Sequence, residues 1–469
     1  MRARRIVLAA LAAGAVAAVL LALHELPIAT GYAAKLLCSG VFVAGRSEAT
    51  LFAEDLDAFP WLRSRVDRAQ RTATSDWLGL GRSTAVYRDG LGCALAVDAS
   101  VAELRAQGFD PGRAPDRAGI PWPMGDRGTD STPTATGSRP NELDGPALDA
   151  AVSSAFGELD PAAARRTRAV IVLHRGQLVA ERYAPGFDAS TPLLGWSMTK
   201  SVLAALVGIQ VGRGRLDLDA PAPVSDWRSD PRAAITPDEL LRMTSGLEFS
   251  EQYGPFADAT AMLFRSRSAS AYAAHSRLAH PPDRVWSYSS GSSNLLAAIL
   301  RTTLSGGASD YHRFPREALF ERIGMRSAVL ETDAAGNFVA SSFGWATARD
   351  WARFGLLHAQ DGVWLGERVL PEGWVARIRR PTPQAPQGRY GAHWWLNAGT
   401  PGAPGDRPFP SLPTDLFYAS GYEGQSVVVL PSHELVVVRL GQSEPEEAFD
   451  LEDFLVAVLA TFSPPVAGR

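Results

Sequence analysis

Apolar runs, alternating stretches and polar segments broken by Gly and Pro follow one another along this chain, and their order predicts its elements. Ile6 to Leu23 is an unbroken apolar run of 18 residues behind the basic Met1-Arg2-Ala3-Arg4-Arg5. Residues 25–112 read as a few strands and short helices of no assigned role. They include strand-like stretches at Leu36 to Ala44 and, after an Asp89-Gly90 turn, at Gly92 to Val97. Residues 113–145 are dense in Pro, Gly, Asp, Ser and Thr and read as a linker or long surface loop. A globular unit at 146–469 opens with a helical stretch from Ala147 to Phe156. Val170 to Leu173 and Gln177 to Tyr183 flank a Gly176 turn and predict a hairpin. Ser201 to Gly208 is apolar and rich in helix formers, which predicts a buried helix ended by Gly212-Arg213-Gly214.

From about 213 to 340 the pattern is mostly helical, an inserted helical subdomain. Within it Thr236-Pro237-Asp238-Glu239 has the cap, the first-turn proline and the acids of a helix start. Strands return at Ser426 to Leu430 and Glu434 to Leu440 around Pro431-Ser432-His433, and a helix near 446–462 closes the chain. Strands, then helices, then strands imply an α/β (α+β) fold. Its mixed, mainly antiparallel sheet is closed by chain-distant strands and flanked by helices.

The length of 469 residues exceeds what one small core needs. With 46 basic and 50 acidic residues the net charge is -4, and no basic cluster lies outside the N-terminus, so no nucleic-acid partner is expected. Residues 1–24 read as either a secretory signal or a single membrane anchor. The flank Leu23-His24-Glu25-Leu26-Pro27 lacks a small-residue cleavage site and favours an uncleaved anchor in the inner membrane. The basic end then stays cytoplasmic and the rest is periplasmic; a cleaved signal would release the protein to the periplasm. The two cysteines, Cys38 and Cys93, lie in strand-like stretches and can pair in such a compartment, the alternative being two buried thiols. None of the eight histidines falls at ligand spacing, so neither a metal nor another cofactor is expected.

The most informative residues are Ser197-Met198-Thr199-Lys200. A serine at the first turn of a helix meets unsatisfied N–H groups and the positive end of the helix dipole. Lys200, three residues on, shares its face. A lysine in a desolvated pocket can serve as a base near neutral pH. Ser-x-x-Lys is common by chance, but the apolar helix behind it disfavours a surface lysine. Such a pair also needs a proton route and oxyanion donors. Tyr288, in Trp286-Ser287-Tyr288-Ser289-Ser290 before the apolar helix Asn294 to Leu300, is a candidate for the first, with its phenolate favoured by the nearby ammonium. Gly421-Tyr422-Glu423-Gly424-Gln425 precedes a strand, and its glycines permit close backbone approach to a substrate.

Together these ordered motifs resemble the serine β-lactamase and penicillin-binding protein superfamily. The segments around Thr236 to Leu247, Gly344 to Gly355 and Val436 to Gly441 are similar as well. The resemblance covers about 147–465 and is nearest the class C-like branch, which holds 6-aminohexanoate-dimer hydrolases, esterases and D-alanyl-D-alanine carboxypeptidases. It implies a β-lactamase/transpeptidase-like fold. It also implies Ser197 as acyl-forming nucleophile, Lys200 as its proton partner, Tyr288 as a second acid/base and the Gln425 N–H in an oxyanion hole. Two positions depart from the pattern: Ser290 holds the usual Asn place of Tyr-x-Asn, and Tyr422 the usual cation place before Gly424. Without that cation a substrate carboxylate is held less well. The expectation is therefore a serine hydrolase of small esters or linear amides. The alternatives are a carboxypeptidase, penicillin-binding protein or β-lactamase, and a non-catalytic sensor or scaffold. Tyr253 is a further pocket candidate, its competing reading a packed loop aromatic.

Overall fold

The centre of the fold is a sheet whose strands come from both ends of the 146–469 unit. This computed structural model describes residues 2–112, 117–127, 143–158, 160 and 163–462, the side chains of 2–20 excepted. Strands β1 (Arg63–Asp67), β2 (Thr72–Trp77), β3 (Leu80–Arg88) and β4 (Gly92–Leu95) form an antiparallel sheet in that order. Next come β5 (Thr167–His174) and β6 (Gln177–Tyr183). The short β7 (Leu193–Leu194), β8 (Val329–Leu330) and β9 (Gly344–Ala346) pair as β7-β9-β8, and β10 (Val363–Trp364) with β11 (Glu367–Arg368) makes a small hairpin. Finally β12 (Trp395–Leu396), β13 (Phe417–Gly421), β14 (Gln425–Leu430) and β15 (Leu435–Gly441) join β5 and β6 in one six-stranded sheet, order β12-β13-β14-β15-β5-β6. Every neighbouring pair in it is antiparallel.

The β5–β6 turn is set by Arg175 and Gly176, both at positive φ (49° and 74°), the geometry of a two-residue hairpin that matches strand twist. Both faces of β5, β14 and β15 are buried, which is why those strands are continuous Val, Ile and Leu runs rather than alternating ones. On one face lies the helix Met198–Gly212, buried from Met198 to Gln210. The helix Ala348–Ala359 crosses the same sheet, and Gly355 admits it: a Cβ there would lie 2.6 Å from Val436. The helices Gly145–Ser154 and Leu451–Leu459 cover the other face with Leu148, Leu455 and Val458. Among the described residues, 195–328 hold helices and turns and no strand. The helix at Pro237–Leu241 starts with a capping box of Thr236 and Glu239.

The N-terminal segment departs from the expected pattern. Leu36 to Ala44 is not a strand; it belongs, as far as Phe42, to the helix Arg2–Phe42. A short apolar run cannot distinguish the two, and here the i,i+4 pair Lys35 and Ser39 turns one polar face inward onto Glu331. Glu331 Oε1 accepts from Ser39 Oγ (2.8 Å) and from the Cys93 N–H (2.6 Å), and Oε2 from Lys35 Nζ and Trp345 Nε1 (2.8 Å). Cys38 and Cys93 form a disulfide that fastens this helix to β4. Gly31 and Gly40 let it approach Phe264 and Leu51, where a Cβ would lie 2.8 and 2.4 Å from its neighbours. Residues 117–127 are held onto the helix Ala348–Ala359 by Arg117 with Asp350, and by Arg353 with Asp126. The remainder of the linker, 113–116 and 128–142, lies outside the described residues. So does most of the side-chain basis of the anchor or signal reading of 1–24. Among the described residues no helix is long and apolar enough to cross a membrane.

Candidate active site

The helix Met198–Gly212 begins where the chain leaves β7 through Gly195 and Trp196. Trp196 adopts the left-handed region (φ 46°), a conformation that costs a non-glycine residue roughly 1–3 kcal/mol and needs firm packing to persist. That packing exists. A Cβ on Gly195 would lie 2.4 Å from Trp351, and one on Gly421 only 2.1 Å from the Gly195 carbonyl. The bend leaves Ser197 at the N-cap with αR backbone and no capping hydrogen bond from its side chain, so Oγ is available for other partners.

Lys200 Nζ donates to Ser197 Oγ (2.9 Å), Ser290 Oγ (3.1 Å) and the Ser341 carbonyl (3.0 Å). Its side chain is almost sealed, with 1% of the residue exposed. Burial pulls its pKa down to about 8, against the raising influence of Glu251. The Ser341 carbonyl is fixed from behind by Asn294, which exchanges hydrogen bonds with Ser341 Oγ (3.1 Å) and N–H (3.3 Å). Ser201, one turn into the helix, donates to the His393 carbonyl (2.6 Å), anchoring the helix start against the neutral, buried His393.

Ser290 opens the helix Ser290–Thr302. Its N–H and Oγ donate to the two oxygens of Glu251 at 2.7 and 2.5 Å. Glu251 is a site residue that reading the chain passed over, although it stands two positions before Tyr253. Its partner lies 39 residues away, and no local pattern marks that contact. Tyr253 is 41% exposed, with its hydroxyl 3.4 Å from Glu251 Oε1. Burial of the phenol and Glu251 push its pKa up, opposed by the hydroxyls of Ser197 and Ser290.

Tyr288 packs with Met243, Ala385, Tyr390 and Trp395, and Lys200 Nζ sits over its ring, 4.7 Å from the centre. The expected phenolate is not what this environment favours. Burial, then Tyr390, Glu251 and Tyr253, raise the pKa well above its usual value, and only the Ser197 hydroxyl opposes them. Tyr288 is therefore a phenol, and Lys200 is the group near neutrality.

The corner between β13 and β14 completes the site. Glu423 and Gly424 both have positive φ (65° and 78°), and Arg439 donates from Nη1 to their carbonyls at 3.1 and 3.0 Å. Gln425 spends its side chain on β15, donating to the Gly441 carbonyl (2.7 Å) and accepting the Gly441 N–H (3.0 Å). Tyr422 is 38% exposed and contacts the rings of Trp196 (5.7 Å) and Tyr253 (5.1 Å). Trp196, Tyr253 and Tyr422 also line a cavity of about 320 Å³. Its far wall, Ile28, Tyr32 and Phe59, comes from the N-terminal segment.

The family model described as Beta-lactamase matches residues 152–462. The chain belongs to the beta-lactamase family. A 6-aminohexanoate-dimer hydrolase from Paenarthrobacter ureafaciens is 24% identical over 305 residues, spanning 58% of this chain and 72% of the relative. A Bacillus anthracis structure provisionally named a 6-aminohexanoate-dimer hydrolase aligns with TM-score 0.51 at 24% identity, covering 63% of this chain and 78% of that one. The penicillin-binding protein of Bacillus halodurans aligns with TM-score 0.51 at 15% identity, covering 67% and 100%. These likenesses show a shared β-lactamase/transpeptidase fold. Within this beta-lactamase frame the wall of Tyr32 and Phe59 comes from the chain ahead of the family match, which begins at residue 152. The 6-aminohexanoate-dimer hydrolase relative places this beta-lactamase family member among hydrolase-like proteins.

Proposed function

We propose that the protein is a serine hydrolase that cleaves a small ester or linear amide through an acyl-enzyme. The observation that carries the reading is the 2.9 Å hydrogen bond from a buried Lys200, its pKa lowered to about 8, to the Ser197 hydroxyl. In this reading Ser197 Oγ attacks the carbonyl carbon and its proton passes to Lys200 Nζ. The N–H groups of Ser197 and Gln425 stabilise the oxyanion. Collapse breaks the bond to the alcohol or amine, which leaves with a proton relayed through Tyr288, and Tyr253 orients the leaving atom. Water then attacks the acyl carbon and gives its proton to the same base, restoring Ser197. Glu251, through Ser290, keeps the ammonium form of Lys200 accessible between steps. The 6-aminohexanoate-dimer hydrolase relative supports a linear amide, and Tyr422 in place of a cation supports esters and linear amides over carboxylate-bearing β-lactams. The Cys38–Cys93 disulfide supports a place outside the cytoplasm, at the inner membrane or in the periplasm.

Labelling by a fluorophosphonate probe tests the nucleophile. The wild type should gain one probe mass and Ser197→Ala none, with the melting temperature of the variant unchanged. Full labelling of Ser197→Ala would place the nucleophile elsewhere.

A further inference from the structure

The cavity beside Ser197 has a composition that the hydrolysis reading does not require. Five carboxylates line it, Glu25, Asp55, Asp57, Glu423 and Glu444, and no lysine or arginine does. Three of the five are matched from behind: Glu25 by Arg265, Asp55 by Arg46 and Arg168, and Asp57 by Arg166. Among the described residues no salt bridge joins Glu423 or Glu444 to a basic side chain. The walls between are aromatic. Tyr32 stacks on Trp196 (6.5 Å, 12°), Tyr422 meets the edge of Trp196, and Tyr253 leans on Tyr422. Tyr253 and Trp196 also adjoin the nucleophile: Trp196 precedes it in the chain, and the phenol of Tyr253 feels the Ser197 hydroxyl. Aromatic faces and carboxylates without a direct ion-pair partner attract the same ligand chemistry, an organic cation whose apolar body lies against the rings.

We propose that this cavity is a subsite for an aliphatic ammonium group of the substrate, built jointly by the family frame (Trp196, Tyr422, Glu423) and the N-terminal helix (Tyr32). It rests on the hydrolase reading only for the location of the scissile bond. Tyr422 thus stands where relatives usually place a cation because here the cation belongs to the ligand. A chain carrying a terminal amine runs from the carbonyl at Ser197 past Tyr253 to the carboxylates, whereas an anionic substrate end is repelled.

Glu423 gives the subsite a signature. Its carboxyl is pushed up to about 7, chiefly by burial. The groups that face it are Arg168 from β5, Arg439 from β15, Tyr32 from the N-terminal helix, Trp196 Nε1 at 3.2 Å, Tyr422, Asp55 and Glu444. A cation in the cavity favours the carboxylate and lowers that value, so binding near pH 7 releases protons.

The test is calorimetric titration of full-length Ser197→Ala with n-hexylammonium chloride and with 1-hexanol at pH 7, in two buffers of different ionisation enthalpy. Neither compound carries an ester or amide bond, so the result is independent of whether the hydrolase reading stands. The ammonium should bind about tenfold or more tightly than the alcohol. It should release protons, and Glu423→Gln added to Ser197→Ala should abolish that release and most of the preference. Glu444→Gln, at the exposed rim, should reduce the preference without affecting folding. Equal affinities, failure of both compounds to bind a protein that melts normally, or a preference that survives Glu423→Gln and Glu444→Gln together would overturn the assignment.

Discussion

At Lys200, a burial penalty and the charge of Glu251 act in opposite directions. Glu251 favours the ammonium, but burial dominates, and the pKa falls from 10.5 to about 8. As the neutral amine takes the proton from Ser197, kcat/KM for a simple ester should rise with pH and level off above an apparent pKa of about 8. The stability consequence has the same sign. Between about 8 and 10.5 the unfolded chain binds more protons than the folded one, so Lys200 makes stability rise with pH across that window. Lys200→Ala should remove the ascending limb and slow acylation about 10²–10⁴-fold. A profile flat from pH 6 to 9 in the wild type would remove Lys200 as the base. Tyr288 makes a separate prediction, because it is a phenol with a proton to give. Tyr288→Phe should slow an alkyl ester or amide about 10²–10⁴-fold and a p-nitrophenyl ester far less, since p-nitrophenolate leaves without a proton. Equal losses on both substrates would assign Tyr288 to positioning alone.

At the scale of elements, the helix Arg2–Phe42 ties the N-terminal segment to the family frame. Lys35 and Glu331 are both buried, and the pKa of Lys35 is lowered by burial despite the carboxylate beside it. Removing one partner strands the other, so Glu331→Gln should destabilise the protein by about 3–5 kcal/mol, read from urea unfolding. Reducing Cys38–Cys93 should cost roughly 2–4 kcal/mol and lower the melting temperature, and a melt indifferent to reductant would count against that role. These long-range ties were the least legible part of the chain. Elements specified by neighbouring residues were readable: the Arg175-Gly176 hairpin, the Thr236 capping box and the apolar helix after Ser197. The final helix, expected near 446–462, is the shorter Leu451–Leu459, capped by Asp450, with Glu446–Ala448 a separate 3₁₀ turn. Elements specified by distant partners were not. Leu36 to Ala44 read as a strand because nothing nearby announces Glu331. Within the site, Ser197, Lys200 and Tyr288 stood out by spacing, whereas Glu251, Ser341 and Arg439 act through contacts with remote segments.

The molecule as a whole is a beta-lactamase frame whose pocket is finished by a segment from outside the family match. Tyr32 and Phe59 narrow the space next to Tyr253 and Tyr422, and the carboxylates at the rim disfavour anions. A cephalosporin brings a fused bicyclic nucleus and a carboxylate to that space. A short neutral ester brings neither. Tyr422 can offer the carboxylate one neutral hydrogen bond, which is worth about 1–2 kcal/mol less than a charged one. The ratio of kcat/KM for a short-chain ester to that for a cephalosporin should therefore be well above one in the wild type. Tyr422→Lys should lower it by supplying a cation at that corner. The extra positive charge in an acidic cavity should also weaken binding of n-hexylammonium in the same variant, so the two measurements should move together. A wild-type ratio below one would return the site to β-lactam chemistry. A Tyr422→Lys variant with an unchanged ratio would show that the carboxylate end of the substrate lies away from the β13–β14 corner.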